Sequence, residues 1–227
     1  MTLKERFGPF LKMWCARNGM VLANYSNGDR KARLRDYVRL KAQGRLLQNP
    51  ADGCQLINAL LATKNVDGDI AEVGTAAGGS ARLISQYSNG KTIHVFDTFE
   101  GLPKPGKKDA GFVEGQYRCS LEDVKEYLKG LPVEFHKGRF PESADSLRAT
   151  RFSFVHLDVD LYQSVLDCLG FFYPRLNPGG ILICHDYLHV EGVTHAIAKF
   201  FADKPEEPIE LIGHQVMVVK LSPTIIC

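Results

Sequence analysis

An α/β fold with a seven-stranded, mostly parallel sheet is predicted by three features of the sequence. From Asp69 onward, short apolar runs alternate with helical patterns, the signature of βαβ units. A glycine-rich turn, Gly74 to Ser80, separates the first of those runs from the first helix. At the far end, two apolar stretches flank the hairpin-length gap Gly213-His214-Gln215, which adds an antiparallel C-terminal edge strand. Together these describe a Rossmann-like sheet with helices on both faces and a helical N-terminal extension.

The elements follow in order. Buried strands are expected at Ile70–Val73, Thr92–Phe96, Val133–His136, Phe152–Leu157 and Ile181–Cys184, each a short apolar run bounded by polar or glycine residues. Between them the apolar spacing predicts helices at Gly79–Tyr87, Leu121–Lys129, Ser164–Phe172 and Val193–Ala202, with an earlier one at Ala51–Lys64. Pro174 and the turn Asn177-Pro178-Gly179-Gly180 stop the third of these and return the chain to a strand. Ile209–Ile212 and Val216–Leu221 form the terminal hairpin. Residues 1–227 read as a single domain, with 1–65 a helical N-terminal region and 66–227 a ligand-binding core. The stretch 101–120, rich in Gly, Lys and Pro, is a candidate lid.

Composition excludes several classes. The chain has 227 residues, 44% hydrophobic and 24% charged, which is ordinary for a globular protein and excludes a wholly disordered one. No apolar run approaches the ~20 residues of a membrane span, and Lys12, Arg17 and Asn18 interrupt any signal-peptide core. Six cysteines lack metal-finger or CxxC spacing and read as reduced thiols, so a cytoplasmic location is expected. Residues 1–45 carry a net +8 and the remainder −6. Few aromatics interleave with those basic residues, so they read as a solvated helix face and not as a nucleic-acid or membrane contact. Phe7, Phe10, Leu11, Met13 and Trp14 form an apolar stripe beside it, suited to the chain's own core or to a partner in a homo-oligomer.

Two clusters carry chemistry. Glu72-Val73-Gly74-Thr75-Ala76-Ala77-Gly78-Gly79-Ser80 links a strand to a helix, where glycines admit a ligand close to free backbone N–H groups. No lysine follows, which excludes a nucleoside-triphosphate P-loop, and the spacing departs from Gly-x-Gly-x-x-Gly. Asp97 ends the next strand, where an acidic side chain can hold a ribose diol. The second cluster is Asp158, Asp160, His185 and Asp186, at the ends of two later strands. If those strands are neighbours, the four groups converge on a divalent cation; the plainer alternative is that they cap helices and turns. His94 and His136 read as satisfied core or edge residues, while His189 and His195 lie near the cluster, and Tyr162 and Tyr187 flank it.

In this order and spacing, the motifs resemble the macrocin O-methyltransferase family of class I S-adenosylmethionine-dependent enzymes. The stretches that carry the likeness are Glu72-Val73-Gly74 with Gly78-Gly79-Ser80, Val95 to Pro103, Lys137-Gly138-Arg139-Phe140-Pro141, Leu157 to Ser164, Tyr173 to Gly180, and Asp186-Tyr187. The resemblance implies that S-adenosyl-L-methionine is the cofactor. Glu72, Gly74, Thr75, Gly78 and Ser80 would hold its methionine part, Asp97 its ribose, and Thr98 and Phe99 would border its adenine. It further implies that Asp158, His185 and Asp186 ligate a divalent cation, Mg or Mn, with Asp158 and His185 as catalytic groups. Here the sequence departs from the pattern: the family shows Asp-Asp-Tyr, and this chain has His185-Asp186-Tyr187. Imidazole suits a transition metal better than Mg.

The expectation is therefore metal-assisted methyl transfer to a hydroxyl of a small molecule, a sugar hydroxyl of a natural-product glycoside being the acceptor the resemblance implies. Within the same fold, His185 could instead act as general base without metal. A nicotinamide-dependent dehydrogenase and a non-catalytic nucleoside-binding module are the readings from other classes. The first is disfavoured by the glycine spacing, the second by the intact acidic cluster.

Overall fold

A computed structural model describes residues 3–18 and 28–222. The chain divides into two compact units, residues 1–35 and 36–227. The first holds helix α1 (Leu3–Arg17), on which Phe10, Leu11, Met13 and Trp14 are exposed. Helix α2 (Gly28–Lys41) contains the unit boundary and carries most of the dense basic stretch. No helix among the described residues is long and apolar enough to cross a membrane. The five described cysteines are free thiols; Cys227 lies outside the described residues.

The second unit opens with α3 (Pro50–Ala62). Asn49 caps it by accepting hydrogen bonds from Ala51 N (2.8 Å) and Asp52 N (3.0 Å), and Pro50 stands at the first helical position, where its missing N–H costs nothing. Then follow β1 (Asp69–Val73), α4 (Gly79–Tyr87), β2 (Ile93–Asp97), α5 (Leu121–Tyr127) and β3 (Val133–Lys137). After a 3₁₀ turn the chain continues through β4 (Phe152–Leu157), α6 (Tyr162–Phe172), β5 (Leu176–His185), α7 (Glu191–Phe201), β6 (Ile209–Glu210) and β7 (Gln215–Val219). The seven strands form one sheet in the order β3-β2-β1-β4-β5-β7-β6. β3, β2, β1, β4 and β5 are parallel, β7 runs antiparallel to β5, and the two-residue β6 lies outside it.

β4 is buried along its whole length and β1 from Ile70 onward, as central parallel strands covered by helices must be. Phe152, Phe172 and Phe96 are fully buried, and their rings meet edge to face. The order reverses between β1 and β4, so the carboxyl ends of β1, β2, β4 and β5 surround one crevice.

One expected element changes. Asn177-Pro178-Gly179-Gly180 is not a turn ahead of the strand but its first half, with a register shift against β4. Gly179 N donates to Lys220 O and Lys220 N to Gly180 O, so the returning β7 backbone draws this turn-like segment into the ladder. Gly179 takes φ +80°, a conformation that only glycine adopts without strain.

Candidate active site

The crevice is a cavity of about 440 Å³. Of the residues expected in the site, Gly74, Asp97, Thr98, Asp158, His185 and Asp186 line it. So do Asp160, Gly138, Arg139 and Phe140.

On the β1–β2 side, Gly74 has φ +87°, and a side chain there would overlap the carbonyl oxygen of Asp158. Asp97, at the end of β2, accepts hydrogen bonds from Phe99 N (2.7 Å) and Ala76 N (2.8 Å). Burial raises its pKa above the ordinary carboxylate range, and these N–H groups oppose that rise. Two oxygens fixed by backbone donors still have lone pairs to accept a ribose diol.

The remaining expected residues stand behind this wall. Glu72 is fully buried; its Oε2 accepts from Thr75 Oγ1 (2.5 Å) and its Oε1 faces His156 Nδ1 (3.1 Å). Gly78 N donates to Thr75 O, which closes the turn into α4, and Ser80 is buried in that helix. Phe99 is buried and does not line the cavity.

On the β4–β5 side the strands are neighbours, and the charged groups converge. His185 Nδ1 lies 3.2 Å from Asp158 Oδ1 and 3.1 Å from Asp186 Oδ1. Ligand atoms of these three residues fall within 4.8 Å of one another. Nδ1 is buried without a well-aligned hydrogen bond, although it faces two carboxylate oxygens. Asp160 and Asp186 hold left-handed backbone conformations, φ +58° and +62°, which are strained for residues with a side chain.

Crowding of like charge shifts the titrations. Burial, then Asp158 and Asp186, push the Asp160 carboxyl up to about 8. Burial would lower His185, but Asp158, Asp186 and Asp52 outweigh it and hold the imidazole protonated well above its usual range. Burial would raise Asp158, but the His185 charge brings it below the usual carboxylate range.

Three contributors escape the sequence motifs. Asp52, fully buried in the first turn of α3, places Oδ2 3.4 Å from His185 Nε2 and accepts from His214 N with Oδ1 (3.2 Å). Its signal is present in the sequence: an acid one helical turn from Leu56 must find a partner when the apolar face is buried. Gln48 Nε2 donates to Asp158 Oδ2 (2.8 Å). Asp109, from the candidate lid, accepts from Tyr162 N (2.7 Å) and Gly106 N (2.8 Å), so a loop residue caps α6 where Leu161 cannot. Lid residues Leu102, Phe112 and Tyr117 line the cavity.

His189 lines the cavity, stacked on His214 with ring centres 4.4 Å apart. His195 is half exposed, facing Glu191, and neither it nor Tyr162 or Tyr187 lines the cavity.

The sequence profile of the Macrocin-O-methyltransferase (TylF) family matches residues 50–219. The chain belongs to this family. It is 32% identical over 155 residues to an 8-demethyl-8-(2,3-dimethoxy-alpha-L-rhamnosyl)-tetracenomycin-C 4'-O-methyltransferase of Streptomyces olivaceus, a match that covers 60% of this chain and 59% of that protein. It is also 32% identical over 142 residues to a mycinamicin III 3''-O-methyltransferase of Micromonospora griseorubida, covering 54% and 56%. The chain thus spans under two thirds of these relatives' lengths. Among solved structures, the O-methyltransferase NovP shares its fold with TM-score 0.68 at 23% identity, covering 78% of this chain and 83% of NovP. An O-methyltransferase from Bacillus cereus, in complex with SAH, aligns with TM-score 0.57 at 15% identity, covering 93% and 97%.

Proposed function

We propose that this protein transfers a methyl group from S-adenosylmethionine to a hydroxyl of a small glycosylated natural product, with help from a divalent cation. The observation that carries the reading is one cavity flanked by Asp97 on the β2 side and by Asp158, His185 and Asp186 on the β4–β5 side. The relatives' names, which specify O-methyl transfer to a rhamnosyl-tetracenomycin and to mycinamicin III, support a sugar hydroxyl as acceptor.

The donor set fits a metal. Four carboxylates, those of Asp52, Asp158, Asp160 and Asp186, crowd around one imidazole, an excess of buried negative charge that a dication would offset. One nitrogen and two carboxylate oxygens suit Mn, Fe, Co, Ni or Zn better than Mg. A bound ion would acidify an acceptor hydroxyl and hold a neighbouring oxygen. S-adenosylmethionine supplies an electrophilic methyl on a sulfonium.

The chain's own residues do the rest. Asp97 orients the nucleoside, and the Gly74 backbone leaves room beside the Asp158 carbonyl. Asp158, held ionised, is placed to accept the acceptor's proton at a carboxylate oxygen. Asp52 fixes the imidazole of His185 through Nε2, leaving Nδ1 to face the other carboxylates. The same carboxylates argue against His185 as a metal-free base, because they keep its ring protonated at neutral pH.

Calorimetric titration with S-adenosylhomocysteine tests the cofactor, with NAD as the comparison and Asp97→Ala as the control. Micromolar binding that weakens about a hundredfold in Asp97→Ala, without an NAD signal, supports the reading. NAD binding without S-adenosylhomocysteine binding overturns it. Methyl transfer to vicinal-diol glycosides that survives complete chelation would remove the metal from the mechanism.

A further inference from the structure

A second group of nitrogen and oxygen donors lies away from the cavity, on the β2–β3 side of the sheet. His94 of β2 pairs in register with Glu134 of β3, and His136 follows two residues on, so all three side chains share one face. His94 Nδ1 lies 3.1 Å from His136 Nε2 and 3.4 Å from Glu134 Oε2. The three donor atoms fall within 4.8 Å of one another. A tetrahedral zinc ion with bonds near 2.0–2.1 Å separates its donors by roughly 3.3–3.4 Å, so the spacing found here already approaches that of a coordination shell.

The outer partner is in place as well. His94 is buried, and its other nitrogen, Nε2, faces Asp69 Oδ2 at 3.2 Å. A carboxylate there accepts a hydrogen bond from Nε2–H, which fixes that tautomer and leaves the Nδ1 lone pair directed at His136 and Glu134. The His136 ring is fixed by stacking on Phe96, with centres 4.6 Å apart and planes inclined by 19°. Glu134 is exposed and gives an ion a path from solvent.

We propose that His94, His136 and Glu134 bind a divalent transition ion of the zinc type, with Asp69 behind His94 and the fourth position open to solvent. The ion clips β3, the outermost strand on this side, to β2. None of these residues lines the cavity, so the proposal stands apart from the catalytic reading.

The test uses the full chain after chelation, with the cavity cluster silenced by Asp158→Ala and Asp186→Ala. Zinc alone is added, and retained metal is counted after gel filtration; cobalt is substituted to read the visible bands of a tetrahedral site. One zinc per chain is expected in the silenced protein and none when His136→Gln is added. Asp69→Asn should weaken binding roughly 10- to 100-fold. In the otherwise unaltered chain, Glu134→Gln, an exposed change that leaves the fold intact by circular dichroism, should lower the zinc count by one. If the silenced chain holds no zinc, His94 and His136 form only a hydrogen-bonded pair and the proposal fails. It fails equally if His136→Gln and Glu134→Gln leave the zinc count unchanged.

Discussion

The two walls of the cavity satisfy their acids in opposite ways. At the ends of β1 and β2, Asp97 accepts two backbone N–H groups, and Glu72 is held between Thr75 and His156. At the ends of β4 and β5, Asp158 and Asp186 share one imidazole with Asp160 beside them, and two of these three acids sit in left-handed backbone conformations. The first wall is finished before any ligand arrives, which suits recognition of a cofactor. The second stores charge repulsion and backbone strain, and the cation of the proposed function would relieve the repulsion. In the proposed function, recognition and reaction are thus divided between the two pairs of strands.

That division can be broken one wall at a time. The largest effect is expected from Asp158→Asn, which removes the proposed proton acceptor and a proposed metal ligand together. Turnover should fall by roughly a thousandfold, while affinity for S-adenosylhomocysteine, measured by calorimetry, changes less than threefold. Equal loss of both would mean that the walls act as one unit.

Asp52→Asn sharpens the comparison, because Asp52 does not line the cavity and meets the reactive wall through His185. Turnover at limiting metal should fall about 10- to 100-fold and return when metal is raised, with KM for S-adenosylmethionine unchanged. A defect that added metal does not correct would make Asp52 a packing residue.

The smallest expected effect on activity is at Glu206, a buried acid outside the cavity that is fully paired. It accepts from Tyr173 Oη (2.7 Å), Lys220 Nζ (2.8 Å) and Leu221 N (3.2 Å). Burial would raise its pKa, but Lys220, Tyr173 and the Leu221 N–H outweigh burial and hold it below the ordinary range. Because the folded-state value is depressed, its stabilisation is present at neutral pH and is lost as pH falls through that lowered value. Glu206→Gln should cost about 2 kcal/mol in urea denaturation at pH 7 and progressively less in acid, with turnover unchanged.

Much of this was legible in the sequence, for a definable reason. α4 was bounded at Gly79 and Tyr87, and β4 at Phe152 and Leu157, because glycine or polar residues frame them locally. The convergence of Asp158 with His185 and Asp186 could be read because each ends a strand, and strand ends in such sheets face one crevice. Interactions between distant segments could not be read. The Asn177–Gly180 segment carries every mark of a turn, yet Lys220, just past the end of β7, bonds to it from some forty residues away. Asp52 and Gln48 reach Asp158 and His185 from a helix and a loop more than a hundred positions away, and no local pattern records that approach. Asp109 lies in a loop about fifty positions before the helix it caps, and nothing local marks it for that role.

Gly74 ties the two walls together. Its bare α-carbon lets β1 end against the carbonyl of Asp158, so the spacing between the two walls is set by backbone against backbone. It works as a ruler without a side chain to bend. Even a single methyl at this position would press on that carbonyl and force the strand ends apart, and in the proposed reaction it would leave both reactants bound but out of reach of each other.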